Sequence, residues 1–164
     1  MTHRIEAASS GRAKCRACGK PIGKGELRFG ERAPNAFGDG EMTLWFHPTC
    51  AALAHPEPLL ELLAEATHDS LFDDVNALRQ QAEVSRQHPS LPRIAGGQRS
   101  PTSRARCRHC KEPIAKDEWR IALGFFEDGR MQPGGFIHDN CSPDYFGTSE
   151  ILERVRHFSP EFKT

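Results

Sequence analysis

Two matched sets of cysteine and histidine constrain this 164-residue chain more than any other feature. Cys15, Cys18, His47 and Cys50 follow the pattern Cys-x2-Cys, 28 residues, His-x2-Cys, and Cys107, Cys110, His138 and Cys141 repeat it with a gap of 27. All six cysteines are used. The segments around them are copies: from Arg12 to Arg28 and from Arg104 to Arg120, ten of seventeen positions are identical. A repeat offset of 92 residues is too long for a solenoid and suits two small modules. A module of roughly 55 residues buries a marginal core, so a disulfide or a metal is expected to reinforce it.

The chain opens on the polar "MTHRIEAASSGRAK" and contains no apolar run long enough for a membrane span. An intracellular protein is therefore expected, where structural disulfides are rare and cysteine clusters bind metal. Three thiolates and one imidazole form a soft tetrahedral set that suits zinc, and a two-residue spacer lets a tight turn aim both of its ligands at one ion. Two Zn2+ ions are expected. With four protein ligands each, neither leaves a position for substrate, so the ions should fold the modules rather than catalyse. No nucleophile motif or phosphate-binding loop occurs elsewhere, so no enzyme activity is expected. His55 and His109 have no counterparts in the other repeat and read as surface or packing residues.

Formal net charge is zero, yet residues 1 to 28 and residues 93 to 120 each sum to +5. Residues 56 to 88 carry two basic side chains against seven acidic ones. Two basic patches around the cysteine pairs, separated by an acidic stretch, suggest a polyanion met at two places. Arg outnumbers Lys sixteen to six, a bias that fits a GC-rich genome and favours a bacterial cytoplasm or nucleoid over a nucleus.

In each module, runs such as "ELRFGERAP" and "MTLWFHPTC" alternate around Gly-rich turns and predict hairpins. Between the modules, Leu71, Val75, Leu78 and Ala82 recur at helical spacing behind the candidate caps Asp69 and Ser70. The stretch "HPSLPRIAGGQRSPTS" carries the Pro, Gly and Ser of a flexible linker. A last helix places Ile151, Leu152, Val155 and Phe158 on one face. The expected fold is α+β: a first zinc-stabilised module (1–55), an acidic helical spacer (56–88), a flexible linker (89–103) and a second module with a C-terminal helix (104–164). Each module should hold a short antiparallel sheet flanked by a helix.

"SGRAKC" before the first ligand, "PIGKGELR" after the Cys pair, the gap near 28 and "WFHPTC" at the last ligands together resemble the zinc finger of the poly(ADP-ribose) polymerase type, found also in eukaryotic DNA ligase and 3′-phosphatase enzymes acting at strand breaks. The resemblance covers about residues 4 to 55 and 98 to 158, with the helical stretch outside it. It implies two tandem fingers without room for an ADP-ribosyl transferase domain. It also implies recognition of nicked, gapped or broken duplex DNA by structure, in DNA repair; a monomer on DNA is expected.

Carried over, the phosphate-gripping residues are Arg12, Arg28, Arg104 and Arg120, and the apolar hairpin-tip residues that cover an exposed base pair are Phe37, Met42, Phe125, Phe126 and Met131. Guanidinium groups suit phosphate oxygens, and exposed base faces suit aromatic platforms. Phe125 and Phe126, beside Gly124, Glu127 and Asp128, are the leading platform candidates. A repair enzyme recruited through the acidic helices is a further expected partner. Two other readings stay open: a zinc-stabilised protein-interaction scaffold, which predicts no salt-dependent DNA affinity, and a binder of RNA or single strands, which predicts preference for unpaired strands.

Overall fold

Each Cys-x2-Cys segment closes into the same tight knuckle. The Cys15 N–H donates to the Lys20 carbonyl at 2.9 Å and the Gly19 N–H to the Cys15 carbonyl at 2.8 Å. In the second copy the Cys107 N–H donates to Glu112 and the Lys111 N–H to Cys107, both at 2.9 Å. The turn requires a left-handed residue at its fifth position, met by Gly19 at φ 75° and by Lys111 at φ 70°. A lysine there costs about 1–2 kcal/mol of steric strain that glycine avoids.

The computed structural model describes residues 3–35 and 37–164, which divide into two compact units: the described residues up to 89 with 126–130, and residues 90–125 with 131–164. The first unit holds an antiparallel sheet of β1 (Arg4–Ala7), β2 (Leu27–Pro34) and β3 (Glu41–Phe46), in that order. Its buried residues include Ile5, Ile22, Phe29 and Phe46, the last two paired at 6.1 Å between ring centroids. Burying such a side chain contributes about 1.5–3 kcal/mol.

Directly after His47, Pro48 starts α1 (Pro48–Ala54), a position where its missing N–H costs nothing. Helices α2 (Pro56–Leu63) and α3 (Val75–Gln87) pack on α1. The acidic stretch expected as a spacer is thus a packed layer of the first unit, because Leu59, Leu62, Leu63, Leu78 and Ala82 bury against it. The start of α3 also differs from expectation. Asp74 is its cap, accepting from the Ala77 N–H at 3.0 Å, whereas residues Ala66–Leu71 form a 3-10 turn that leaves Leu71 exposed.

The second unit repeats the sheet with β4 (Ile94–Arg99), β5 (Trp119–Glu127) and β6 (Arg130–His138). Residues 89–103, expected as a flexible linker, contain the first strand of this sheet: β4 pairs antiparallel with β5 from Ile94↔Leu123 to Arg99↔Trp119. The glycines that suggested flexibility are there for close packing. A Cβ on Gly97 would fall 2.5 Å from the Phe162 ring and 2.8 Å from Val155. Without it, the C-terminal helix α5 (Leu152–Phe158) and Phe162 lie directly on the strand. Of the expected stripe on α5, Ile151, Val155 and Phe158 are buried and Leu152 is exposed. A short helix α4 (Ser142–Phe146) follows the last ligand, Cys141, whereas α1 carries its counterpart Cys50 within its first turn.

Gly97→Ala is expected to destabilise the second unit by about 1–3 kcal/mol, the usual cost of overpacking. Denaturant unfolding of the metal-loaded chain measures it, and an unchanged midpoint would restore the linker reading of this segment.

Candidate metal centres and arginine clamps

The knuckle brings the first Cys pair to the end of β3, where His47 and Cys50 lie three residues apart across the start of α1. In each unit the four ligand atoms lie within 4.8 Å of one another. His47 Nδ1 sits 3.4 Å from Cys18 Sγ and 3.7 Å from Cys50 Sγ. The second quartet matches: His138 Nδ1 is 3.3 Å from Cys110 Sγ and 3.7 Å from Cys141 Sγ. Zinc–sulfur bonds of about 2.3 Å place tetrahedral sulfurs about 3.8 Å apart, so this spacing fits a closed four-ligand site. No disulfide joins any of the six cysteines.

Backbone and carboxylate groups brace the ligands. The N–H of His47 donates to Cys15 Sγ and that of His138 to Cys107 Sγ, each at 3.4 Å. Glu26 accepts from the Gly23 N–H at 2.9 Å while its other oxygen lies 3.9 Å from His47 Nε2. Glu118 does the same with the Ala115 N–H at 3.0 Å and His138 Nε2 at 3.9 Å. His138 Nε2 also lies 3.0 Å from the Pro113 carbonyl, which fixes the proton on Nε2 and leaves Nδ1 for a metal. Glu26 and Glu118 act from outside the quartet and carry the same two tasks 92 residues apart, a pairing that the identical Glu in both knuckle sequences signals.

Three thiols this close cannot all ionise unless a cation sits among them. Hydrogen bonds from Cys15 and Cys50 hold the Cys18 thiol far below its usual range, and hydrogen bonds with Cys15 and Cys18 push Cys50 far above it. In the second quartet burial opposes ionisation of Cys107, yet the N–H groups of Cys110, His138 and His109 bring it down to about 6. Burial and its hydrogen bonds to Cys107 and Cys110 push Cys141 up to about 12. A divalent cation among the sulfurs removes this conflict, which is the sense in which the donor set fits a metal.

Arg28 on β2 and Arg120 on β5 are 8 % and 6 % exposed. Each guanidinium lies flat on an aromatic ring: Arg28 is 3.7 Å from the Trp45 centroid and Arg120 is 3.5 Å from that of Phe136. Trp45 stands opposite Gly30, two positions along the same face from Arg28, and a side chain at Gly30 would meet its ring at 2.7 Å. Arg28 has a carboxylate of Glu6 at 3.9 Å, and its Nε is buried with no hydrogen-bond partner.

Arg120 is held by neutral groups. Its Nη1 donates to Ser100 Oγ at 3.3 Å, and Gln98, with its amide oxygen facing the guanidinium, accepts from Nη2 at 2.6 Å. Arg12 and Arg104 are exposed, each in a turn where its N–H donates to the hydroxyl two residues earlier, Ser10 or Thr102. Trp45, Phe136, Gln98 and Ser100 carry no spacing or motif that marks them in the sequence as partners of the arginines. Strand register reveals Trp45, since residues two apart on facing strands share one surface.

The hairpin tips differ between the units. Phe37 is 92 % exposed, with its N–H donating to Asn35 Oδ1 at 3.0 Å in a turn that Asn35 also closes through Gly40. Met42 and Met131 are half-buried, the latter against Gly124. Phe125 is 39 % exposed, with Arg93 5.2 Å from its ring centroid and Gly134 packed against its edge carbons. Phe126, expected as an open platform, lies flat on His55 at 3.9 Å and contacts Phe46, so a long-range ring contact covers what its glycine and acidic neighbours suggested was free. His55, which also bonds Glu31 at 2.6 Å, is the packing residue it was read to be.

Residues 6–86 match the family described as "Poly(ADP-ribose) polymerase and DNA-Ligase Zn-finger region". These residues form a zinc-finger domain of that type. The match runs through α2 and most of α3, so the helical layer expected to lie outside the resemblance is inside the finger. Among similar proteins, "Poly [ADP-ribose] polymerase 1" of Oryza sativa subsp. japonica is 26 % identical over 153 residues, covering 84 % of this chain and 14 % of the relative. "Poly [ADP-ribose] polymerase" of Sarcophaga peregrina is 26 % identical over an alignment taking in the whole chain and 18 % of the relative, so both quartets fall within it. A 50-residue stretch is 42 % identical to "Poly [ADP-ribose] polymerase 1" of Caenorhabditis elegans, covering 30 % of this chain and 5 % of that protein. The chain thus spans less than a fifth of the length of these relatives. The matched family is the zinc-finger region and not a catalytic domain, and no helix among the described residues is long and apolar enough to cross a membrane.

Cys18→Ser is expected to remove one of two bound metal ions per chain and to unfold the first finger, since in a small metal domain binding energy is largely folding energy. Elemental analysis checks the count, and a variant still holding two ions would show that this quartet is not a closed site.

Proposed function

We propose that the chain is a zinc-ordered DNA-binding protein that recognises strand breaks by their structure, each finger gripping the phosphate backbone. The observation that carries this reading is the pair of buried arginines. A guanidinium nine-tenths removed from water is costly unless paired, and here the same cost recurs 92 residues apart. Among the described residues, Arg28 keeps a buried N–H without an acceptor, and Arg120 has only neutral acceptors. Each is stacked on an aromatic face that holds the planar fork in place, the form in which arginine suits phosphate oxygens. Arg12 and Arg104, exposed three residues before the first ligand of each quartet, extend the grip.

Zinc is the ion that three thiolates and an imidazole select. When bound it supplies cross-linking charge. The chain's own residues then position the knuckle, the strands and the arginines. Binding is the activity these sites support, because four protein ligands at each centre leave no position for a reacting group.

Affinity for nicked duplex is expected to fall steeply with salt, each phosphate contact contributing about 0.9 to the slope of log affinity against log salt. Replacing Arg12, Arg28, Arg104 and Arg120 together by Gln should lower that slope and weaken binding while leaving metal content unchanged. An unchanged slope would remove the arginines from the DNA site, absence of any DNA affinity would favour the scaffold reading, and tighter binding to single strands than to nicked duplex would favour the RNA or single-strand reading.

A further inference from the structure

The two fingers repeat each other at the metal ligands, the braces and the buried arginines, but not at the hairpin tips. In the first, the Asn35 turn holds Phe37 outward with 92 % of its surface free. In the second, the aromatic residues already have partners. The Phe125 ring packs against Gly134 and has Arg93 5.2 Å from its centroid, and the Arg93 guanidinium is itself fixed by donating to Tyr145 Oη at 3.0 Å. Phe126 is stacked on His55. To stack on a base, either ring would first have to give up these contacts, which offsets the gain. Met131 lies against Gly124, where a Cβ would meet it at 2.7 Å.

The second finger is instead the better furnished for phosphate. Among the described residues nothing gives Arg120 a carboxylate partner, whereas Arg28 has Glu6 at 3.9 Å. The second finger also has an exposed arginine with no counterpart in the first. Arg99 lies 4.3 Å over the Trp119 ring with Nη1 donating to the Asp117 carbonyl at 2.9 Å, and the positions 92 residues earlier are Ala7 and Leu27. A guanidinium fixed at the strand end in this way presents its charge with little rotamer entropy left to lose.

We infer that the fingers divide the work: Phe37 alone covers the base exposed at a break, and the second finger holds the backbone through Arg120 and Arg99 without stacking on a base. This rests on the reading of both fingers as break binders, and it makes break discrimination a property of one side chain. An intact helix keeps its base faces stacked, so only a break offers Phe37 a partner, while phosphates are the same on both DNAs.

The test uses the full, zinc-loaded chain with two probes, a hairpin-capped duplex carrying one nick and the same duplex sealed, with binding followed by fluorescence anisotropy at one salt concentration. Phe37→Ala is expected to weaken nicked-DNA binding by about five-fold to a hundred-fold with sealed-duplex binding unchanged, and Phe37→Trp to retain the preference. Phe125→Ala should keep the wild-type ratio of the two affinities. Because Phe125 packs against Arg93 and Gly134, Phe125→Leu with a zinc count serves if the alanine variant unfolds. Arg99→Gln with Arg120→Gln should weaken both DNAs by the same factor. A Phe37→Ala protein that keeps the wild-type ratio, a folded Phe125 variant that loses it, or an arginine pair that affects the nicked probe alone would each overturn the division of work. A wild-type protein with no preference for the nick would overturn the break-binding reading first, and this inference with it.

Discussion

Bringing four ligand atoms from two distant segments within 4.8 Å of one another is the interaction on which each finger depends. The knuckle and the His-x2-Cys turn lie about 30 residues apart, joined through a three-stranded sheet too small to be stable alone. A metal bound between them would fix the end of the last strand, the start of the helix behind it and the turn ahead of the second strand. Everything else follows in register. The sheet places Arg28 beside Trp45, and the second sheet places Arg120 beside Phe136. The polar braces of Glu26 and Glu118 tie each knuckle to its histidine.

That scaffold explains how a cation is kept nearly buried on so small a domain. An arginine on a strand normally extends into water, but here an aromatic residue on the facing strand covers one face and the sheet covers the rest. The arrangement trades stability for a fixed direction, and it is repeated in both units although the ring is Trp in one and Phe in the other. Conservation of the arrangement across a change of ring type within one chain argues that the guanidinium, and not the particular packing, is what the sheet is built to hold. Arg28 and Glu6 face each other across β1 and β2, and Arg120 and Gln98 stand in the same relation across β4 and β5, so a carboxylate-to-amide difference changes the charge beside the buried guanidinium.

The parts legible in the sequence are those where one residue type has one job. Cysteine and histidine spacing located both quartets, and the Gly-rich turns located the hairpins. Short strands with mixed composition were not legible: "IAGGQR" reads as linker because its glycines serve a contact with Phe162 and Val155 that lies some 60 residues away in sequence. The helical layer was visible as helices but not as part of the finger, since periodicity reveals an apolar face and not what it packs on. The tips show the same limit. Glycine and acidic neighbours made Phe125 and Phe126 look open, and Phe37 was ranked behind them, because local polarity carries no information about Arg93 or His55.

The central claim, that metal ligation builds the surface that meets DNA, is tested most directly by titrating zinc into demetallated, reduced chain while following near-ultraviolet circular dichroism and nicked-duplex binding in the same samples. The account predicts that ordered tertiary structure and DNA affinity rise together and saturate at two zinc ions per chain, one for each quartet. Full affinity in the absence of zinc, or a folded two-zinc protein with no affinity for DNA, would contradict it.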